Sequence, residues 1–212
     1  MTDTRGKLLD TAERLFAAQG YHAVSLRQIV GEAAANVAAV HYHFGSKEEL
    51  LDAVVMRKAE PVNRERTARL DRLEAESGDR PKVEKVLEAF LEPMAEVAGD
   101  HPEFTRMMGR LQAEGILSTV ITRNFEPVIS RFLALLRRAT PELSDTDYRW
   151  RVHFMQGALA NAMSGSLNQA MGPLEDEGYP MRIERLIVFL SGAFHAPPRR
   201  SEKAVRQSGR NQ

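Results

Sequence analysis

Apolar residues recur along this chain at intervals of three and four, and no stretch sustains alternation with period two. That rhythm predicts helices throughout and no sheet. Leu8, Ala12, Leu15 and Phe16 mark one face of a helix over 4–18, with Gly20 placed to end it. Leu26, Ile29, Val30 and Ala33 mark a second, short helix opened by Ser25, with Gln28 three residues on as in a capping box. Asn36 suits the cap of a third short helix, anchored by Val40 and Phe44 and stopped by Gly45. Ser46 with Glu49 opens a fourth, carrying Leu50, Leu51, Val54 and Val55; Pro61 predicts a kink or a break in it.

Beyond Pro61 the helical pattern resumes over 63–76, with Leu70 and Leu73 on one face. Arg64, Arg66, Arg69 and Arg72 are expected on its solvated side, and 77–81 reads as a loop. Further helices are predicted over 83–97 (Val86, Phe90, Met94 and Val97, bent at Pro93), 104–114 and 119–139. Ser144 caps another, from 145 to about 170, and after a Gly/Pro-rich turn over 171–180 comes a last helix over 181–194. The expected fold class is therefore all-α. It has a three-helix head over 1–58 with Phe16, Ile29, Val40 and Phe44 in its core, a C-terminal helical domain over 59–196, and a disordered basic tail over 197–212.

Composition narrows the function classes. Apolar residues make up 43% and charged residues 27%, as in ordinary globular proteins. There is no cysteine, which excludes disulfides, thiolate metal sites and cysteine nucleophiles. The N-terminus lacks the apolar core of a signal peptide, and the most apolar run, Leu186 to Leu190, is far too short to span a bilayer, so a cytoplasmic protein without membrane contact is expected. Lys plus Arg equals Asp plus Glu, 29 each, and the head is balanced as well. Any affinity for nucleic acid must come from local arrangement rather than from a basic domain.

Short helix, turn, short helix is the shape of a helix-turn-helix, which presents its second helix to the DNA major groove. With Val40 pointing inward, helical geometry turns Ala38, Ala39, His41 and Tyr42 outward, with Val37 and His43 on the flanks. Small apolar side chains there permit close approach to a groove and contact with thymine methyls, and His41, Tyr42 and His43 add hydrogen-bond donors for bases or phosphates. The same face also suits a helix packed against the rest of the chain, and geometry alone leaves both readings open.

The pattern Ser25-Leu26-Arg27-Gln28-Ile29-Val30, a turn, then His41-Tyr42-His43-Phe44-Gly45-Ser46-Lys47-Glu48-Glu49-Leu50-Leu51 resembles the DNA-binding head of the TetR family of bacterial regulators. The resemblance covers roughly residues 4–58, helix one and Gly20 included. It implies an all-helical subunit, a homodimer on a double-stranded DNA operator, and repression relieved by a small ligand in the C-terminal domain. Position by position, it implies that Val37, Ala38 and His41 read bases, that Tyr42, His43 and Lys47 meet phosphates, and that Arg27 reaches a phosphate or a base. Asn36 and Ala39 complete the expected DNA-binding set. Lys47 also lies in the first turn of a helix whose amides already favour phosphate. The chain departs from the family where Ala34 replaces the usual turn glycine, Ala35 the following valine, and His41 a tyrosine. The Asn-Val-Ala-Ala-Val variant is similar to a branch that includes fatty-acid- and acyl-CoA-responsive regulators.

In the C-terminal domain Phe90, Met94, Phe104, Met107, Met108, Leu111, Phe125 and Met155 are candidates to line an apolar cavity for an apolar or acyl ligand, methionine being adaptable. Plain core packing is the alternative for each. Arg110, between Met107 and Leu111, would meet a head group or lie exposed. The last two long helices are assigned to dimerisation as half of a four-helix bundle. His41 and His43, two apart on a helix, diverge, so no metal is expected; no phosphate loop, nucleophile elbow or HExxH pattern suggests a cofactor or catalysis. A helical enzyme using the apolar cavity and a helical protein-interaction module remain the competing classes.

Overall fold

The computed structural model describes residues 3–163 and 177–197. Among them the chain is helical and joined by short turns: α1 (Thr4–Gln19), α2 (Leu26–Glu32), α3 (Val37–Phe44), α4 (Lys47–Ser77), α5 (Val83–Asp100), α6 (Pro102–Ala113), α7 (Leu117–Ala139), α8 (Asp145–Met163) and α9 (Gly178–His195). Local chemistry sets the starts. Oxygens of Ser25, Asn36 and Ser46 accept the amides of Gln28, Ala39 and Glu49 at 3.2, 2.8 and 3.1 Å. Ser144 does the same for Asp147 at 3.1 Å. Each cap is worth about 1 kcal/mol, a large share for helices as short as α2 and α3.

The head packs as its periodicity predicts: Phe16, Ile29 and Val40 have no exposed surface and Phe44 is buried. One buried cluster continues from the head into the C-terminal domain, where α5 packs on α4, α7 and α9. The expected boundary between residues 58 and 59 falls inside α4, which serves both halves. Its first turns bury Leu50, Leu51, Val54 and Val55, and its later turns bury Val62, Arg66 and Leu70.

Three expectations need correction, the first only in its alternative of a break. Pro61 does not break the helix, because α4 runs from Lys47 to Ser77 through it. A mid-helix proline costs about 3 kcal/mol; here the helix is held on both sides, with the Arg57 guanidinium clamped by Asp10 and Glu13 at 2.6 and 2.5 Å and Val62 buried beyond it. The turn expected to last until residue 180 ends earlier, since α9 begins at Gly178; Pro180 sits in the first turn, where its missing N–H costs nothing. Arg66 is not on a solvated face: it is 4% exposed. Arg110 lies exposed, one of its two expected fates, and its Nε donates to the Ala17 carbonyl at 2.8 Å. The end expected for α8 beyond Met163, most of the 171–180 turn, and nearly all of the tail lie outside the described residues. No helix among the described residues is long and apolar enough to cross a membrane.

Candidate nucleic-acid interface

The turn between α2 and α3 is built without glycine. Ala34 adopts φ +50°, the left-handed conformation that an L side chain resists, and it is the one described non-glycine residue with positive φ. The Ala35 amide reaches back to the Val30 carbonyl at 2.9 Å and the Ala34 amide to that of Gly31 at 3.3 Å, so the turn closes as a helix C-cap despite the alanine. α3 therefore leaves the turn with Val40 and Phe44 inward.

The opposite face of α3 is open. Val37, Ala38, His41 and Tyr42 are exposed, Tyr42 to 85%, and Ala39 and His43 are half-buried. Ala38, Ala39, Tyr42 and His43 join Ala34, Ala35, Asn36 and Thr4 in lining one shallow concavity. The Asn36 oxygen is occupied by the helix cap, leaving its amide group for any ligand. Tyr42 and His43 stand edge to face, with ring centroids 5.0 Å apart.

His41 is more constrained than its sequence suggests. Its Nδ1 lies 2.8 Å from the carbonyl of Gly45. A carbonyl only accepts, so Nδ1 carries the proton, and in the neutral ring Nε2 is left as an acceptor. Uncharged, His41 offers an acceptor to whatever approaches α3, not the donor expected from its residue type.

The basic residues sort by partner. Arg14 is paired with Glu32, and Arg57 with Asp10 and Glu13. Arg27 is exposed on α2. Arg5, exposed on the first turn of α1, holds its guanidinium 5.4 Å from the Phe44 ring and so lies beside α3. Neither Arg5 nor Thr4 is singled out by sequence, since only tertiary packing brings them to α3. Lys47 turns toward the head: its Nζ donates to the Tyr21 carbonyl at 2.6 Å and lies 4.1 Å from the Tyr21 ring centroid. Desolvation there lowers its pKa, with Glu48 and Glu114 opposing. The Tyr21 hydroxyl donates to Glu48 at 3.0 Å, and burial together with that carboxylate raises the pKa of Tyr21.

The C-terminal domain grips the head through α6. Glu114 accepts the amides of Tyr21 and His22, both at 3.1 Å, while Arg110 holds Ala17 near the end of α1. Gly20 between them has φ +89°, a conformation that favours glycine, and a Cβ there would stand 1.9 Å from a Glu114 carboxylate oxygen, so a side chain at this position would displace that carboxylate. The expected ligand residues split. Phe90, Met107, Leu111, Phe125 and Met155 are buried, while Met94, Phe104 and Met108 are half-buried against the same core. On α8 and α9, by contrast, Trp150, Phe154, Val188 and Phe189 are 56, 64, 70 and 64% exposed.

Two family descriptions match the chain. Residues 8–54 match "Bacterial regulatory proteins, tetR family", and residues 88–193 match "Tetracyclin repressor-like, C-terminal domain". The chain belongs to the TetR family. Among individual relatives, similarity is confined to the head. The HTH-type transcriptional regulator LmrA of Bacillus subtilis is 47% identical over 49 residues, 23% of this chain and 26% of that protein. The HTH-type nicotine-responsive transcriptional repressor HdnoR of Paenarthrobacter nicotinovorans is 45% identical over 51 residues, 24% of this chain and 26% of that protein. The matched stretch thus spans about a quarter of these relatives. Solved structures extend the likeness of fold to the whole subunit. The fatty acid degradation regulator FadR from Bacillus halodurans superposes with TM-score 0.65 at 16% identity, covering 91% of this chain and 96% of that one. A TetR-like transcriptional regulator from Rhodococcus sp. RHA1 gives 0.56 at 19%, covering 92% and 94%. The family fold accounts for the all-helical architecture and for the head in which α3 is exposed.

Proposed function

We propose that this TetR-family protein is a DNA-binding transcriptional repressor that acts as a homodimer on a pseudo-palindromic operator and is released by a small apolar or acyl effector. The observation that carries the reading is the outer face of α3, where Val37, Ala38, His41 and Tyr42 are exposed on a helix capped at both ends. Small side chains let the helix approach base edges and touch thymine methyls, while the His41 Nε2 acceptor suits the amino group of adenine or cytosine. Arg5, Arg27, Tyr42, His43 and Lys47 then serve the phosphates, Lys47 after leaving the Tyr21 carbonyl.

The exposed aromatic face of α8 and α9 supports dimerisation. Trp150 and Phe154 stack with centroids 5.6 Å apart and stay open to solvent, as does the Val188–Phe189 pair. A surface of this kind is covered in most soluble proteins, and pairing it about a two-fold axis yields a four-helix bundle. Such a dimer carries two copies of α3 to half-sites about one helical turn, or a multiple of it, apart. Release is supported by the grip of Arg110 and Glu114 on the head, since a ligand that shifts α6 shifts α1 with it.

The test is a gel shift with the DNA flanking the protein's own gene, run over a range of salt with the dimer verified. A specific retarded band, competed by the same DNA and not by random DNA, is expected. No specific band at any salt would overturn the reading.

A further inference from the structure

Arg66 is a charge in the C-terminal domain that the fold leaves unbalanced. It lies on the face of α4 that also buries Val62 and Leu70, and it is 4% exposed. Its Nε donates to the Phe90 carbonyl at 2.8 Å and its Nη1 to the Asn63 oxygen at 3.1 Å. The guanidinium stands 4.0 Å from the centroid of the Phe90 ring, which stacks on Phe132 with centroids 4.1 Å apart.

Among the described residues no carboxylate pairs with Arg66, and its Nη2 meets no acceptor. The neighbouring acids Glu65 and Glu92 are both bound to Arg69, at 2.7 and 2.6 Å. Deprotonation gives no escape, since burial lowers the Arg66 pKa only to about 10. A buried cation whose partners are all neutral is costly, and an apolar residue of similar volume would fill the same space. The Phe90 carbonyl, near the point where Pro93 removes a donor from α5, and the Asn63 oxygen together take two N–H groups of five, and neither balances the charge.

We propose that Arg66 anchors an anionic effector, a carboxylate or phosphate head group on an apolar body, at the corner formed by Asn63, Arg66 and Phe90. The proposal rests on the effector reading above and names the chemistry of that effector. A planar guanidinium fork meets two oxygens of either head group, and the aromatic ring behind it holds the fork in position. The half-buried Met94, one turn along α5 from Phe90, gives the apolar body an adaptable neighbour.

The test uses the full chain with decanoate, decyl phosphate, decanol and decyltrimethylammonium as probes, read by thermal shift and calorimetry. One or both anions are expected to stabilise the protein well beyond decanol, and the larger response distinguishes carboxylate from phosphate. Arg66→Met is expected to lose about 10- to 100-fold in affinity for the anion while decanol binding changes little. Asn63→Asp supplies an internal carboxylate to Nη1, so it should raise the ligand-free melting temperature and weaken the anion. If Arg66→Met fails to fold, Asn63→Asp decides: an undiminished response to the anion overturns the proposal. Equal responses to decanol and the anions overturn it too, while leaving an effector site in place. No response to any probe also overturns it, and the gel shift judges the DNA-binding reading separately.

Discussion

Ala34 offers a quantitative handle on the turn that orients α3. An alanine at φ +50° carries about 1–2 kcal/mol of steric cost that glycine does not. Glycine returns part of that through the greater freedom of the unfolded chain, about 0.5–1 kcal/mol. Ala34 is exposed, so no burial term enters. The difference leaves Ala34→Gly more stable by roughly 0.5–1 kcal/mol. For a domain of this size that corresponds to a rise of about 1–4 °C in melting temperature. Ala34→Val, whose branched side chain tolerates the left-handed region less well, should fall below the parent. Urea unfolding of the DNA-free protein at fixed protomer concentration measures both changes without interference from assembly. An unchanged or lower midpoint for Ala34→Gly would mean that the turn is not strained, and the reasoning would fail.

Other expectations follow from particular contacts. Glu114→Gln keeps one acceptor where two amides now meet a charged carboxylate, so it should lower stability by about 1–2 kcal/mol in the same urea assay. Tyr148, whose hydroxyl donates to the Leu133 carbonyl at 2.6 Å, has its pKa raised by burial to about 12. Its contribution is therefore full below about pH 10, where the unfolded tyrosine begins to ionise, and is lost as pH climbs toward the folded value. Tyr148→Phe should lose about 1 kcal/mol at neutral pH and flatten the decline of stability between about pH 10 and 12; an identical decline in the variant would assign it to other groups.

What was legible in the sequence was local. Ser25, Asn36, Ser46 and Ser144 announce helix starts because a cap needs only its own residue and an amide three positions on. The inward and outward faces of α3 follow from helical geometry once Val40 is taken as core. Features that depend on another part of the chain escaped. Arg66 falls four residues after Val62 and four before Leu70, so its register was visible, but an arginine is read as solvated unless packing is known. The Glu114 grip on Tyr21 and His22 joins groups more than ninety positions apart, with no pattern to signal it. In the neutral ring of His41 the carbonyl of Gly45 accepts the Nδ1–H and leaves Nε2 as an acceptor, which its residue type does not reveal. The break considered at Pro61 does not occur, because the packing that holds α4 on both sides outweighs the local penalty.

The central claim, that α3 reads the operator, is tested most directly by fluorescence anisotropy with operator DNA and with variants changed at single base pairs. Substituting His41 or Val37 should change which base pair is preferred, by about 1–3 kcal/mol at one position of each half-site. Lys47→Ala should weaken binding to all sequences alike and reduce the dependence on salt by about one phosphate contact. If His41 and Val37 substitutions weaken every sequence equally, as Lys47→Ala should, α3 does not read bases and the account is contradicted.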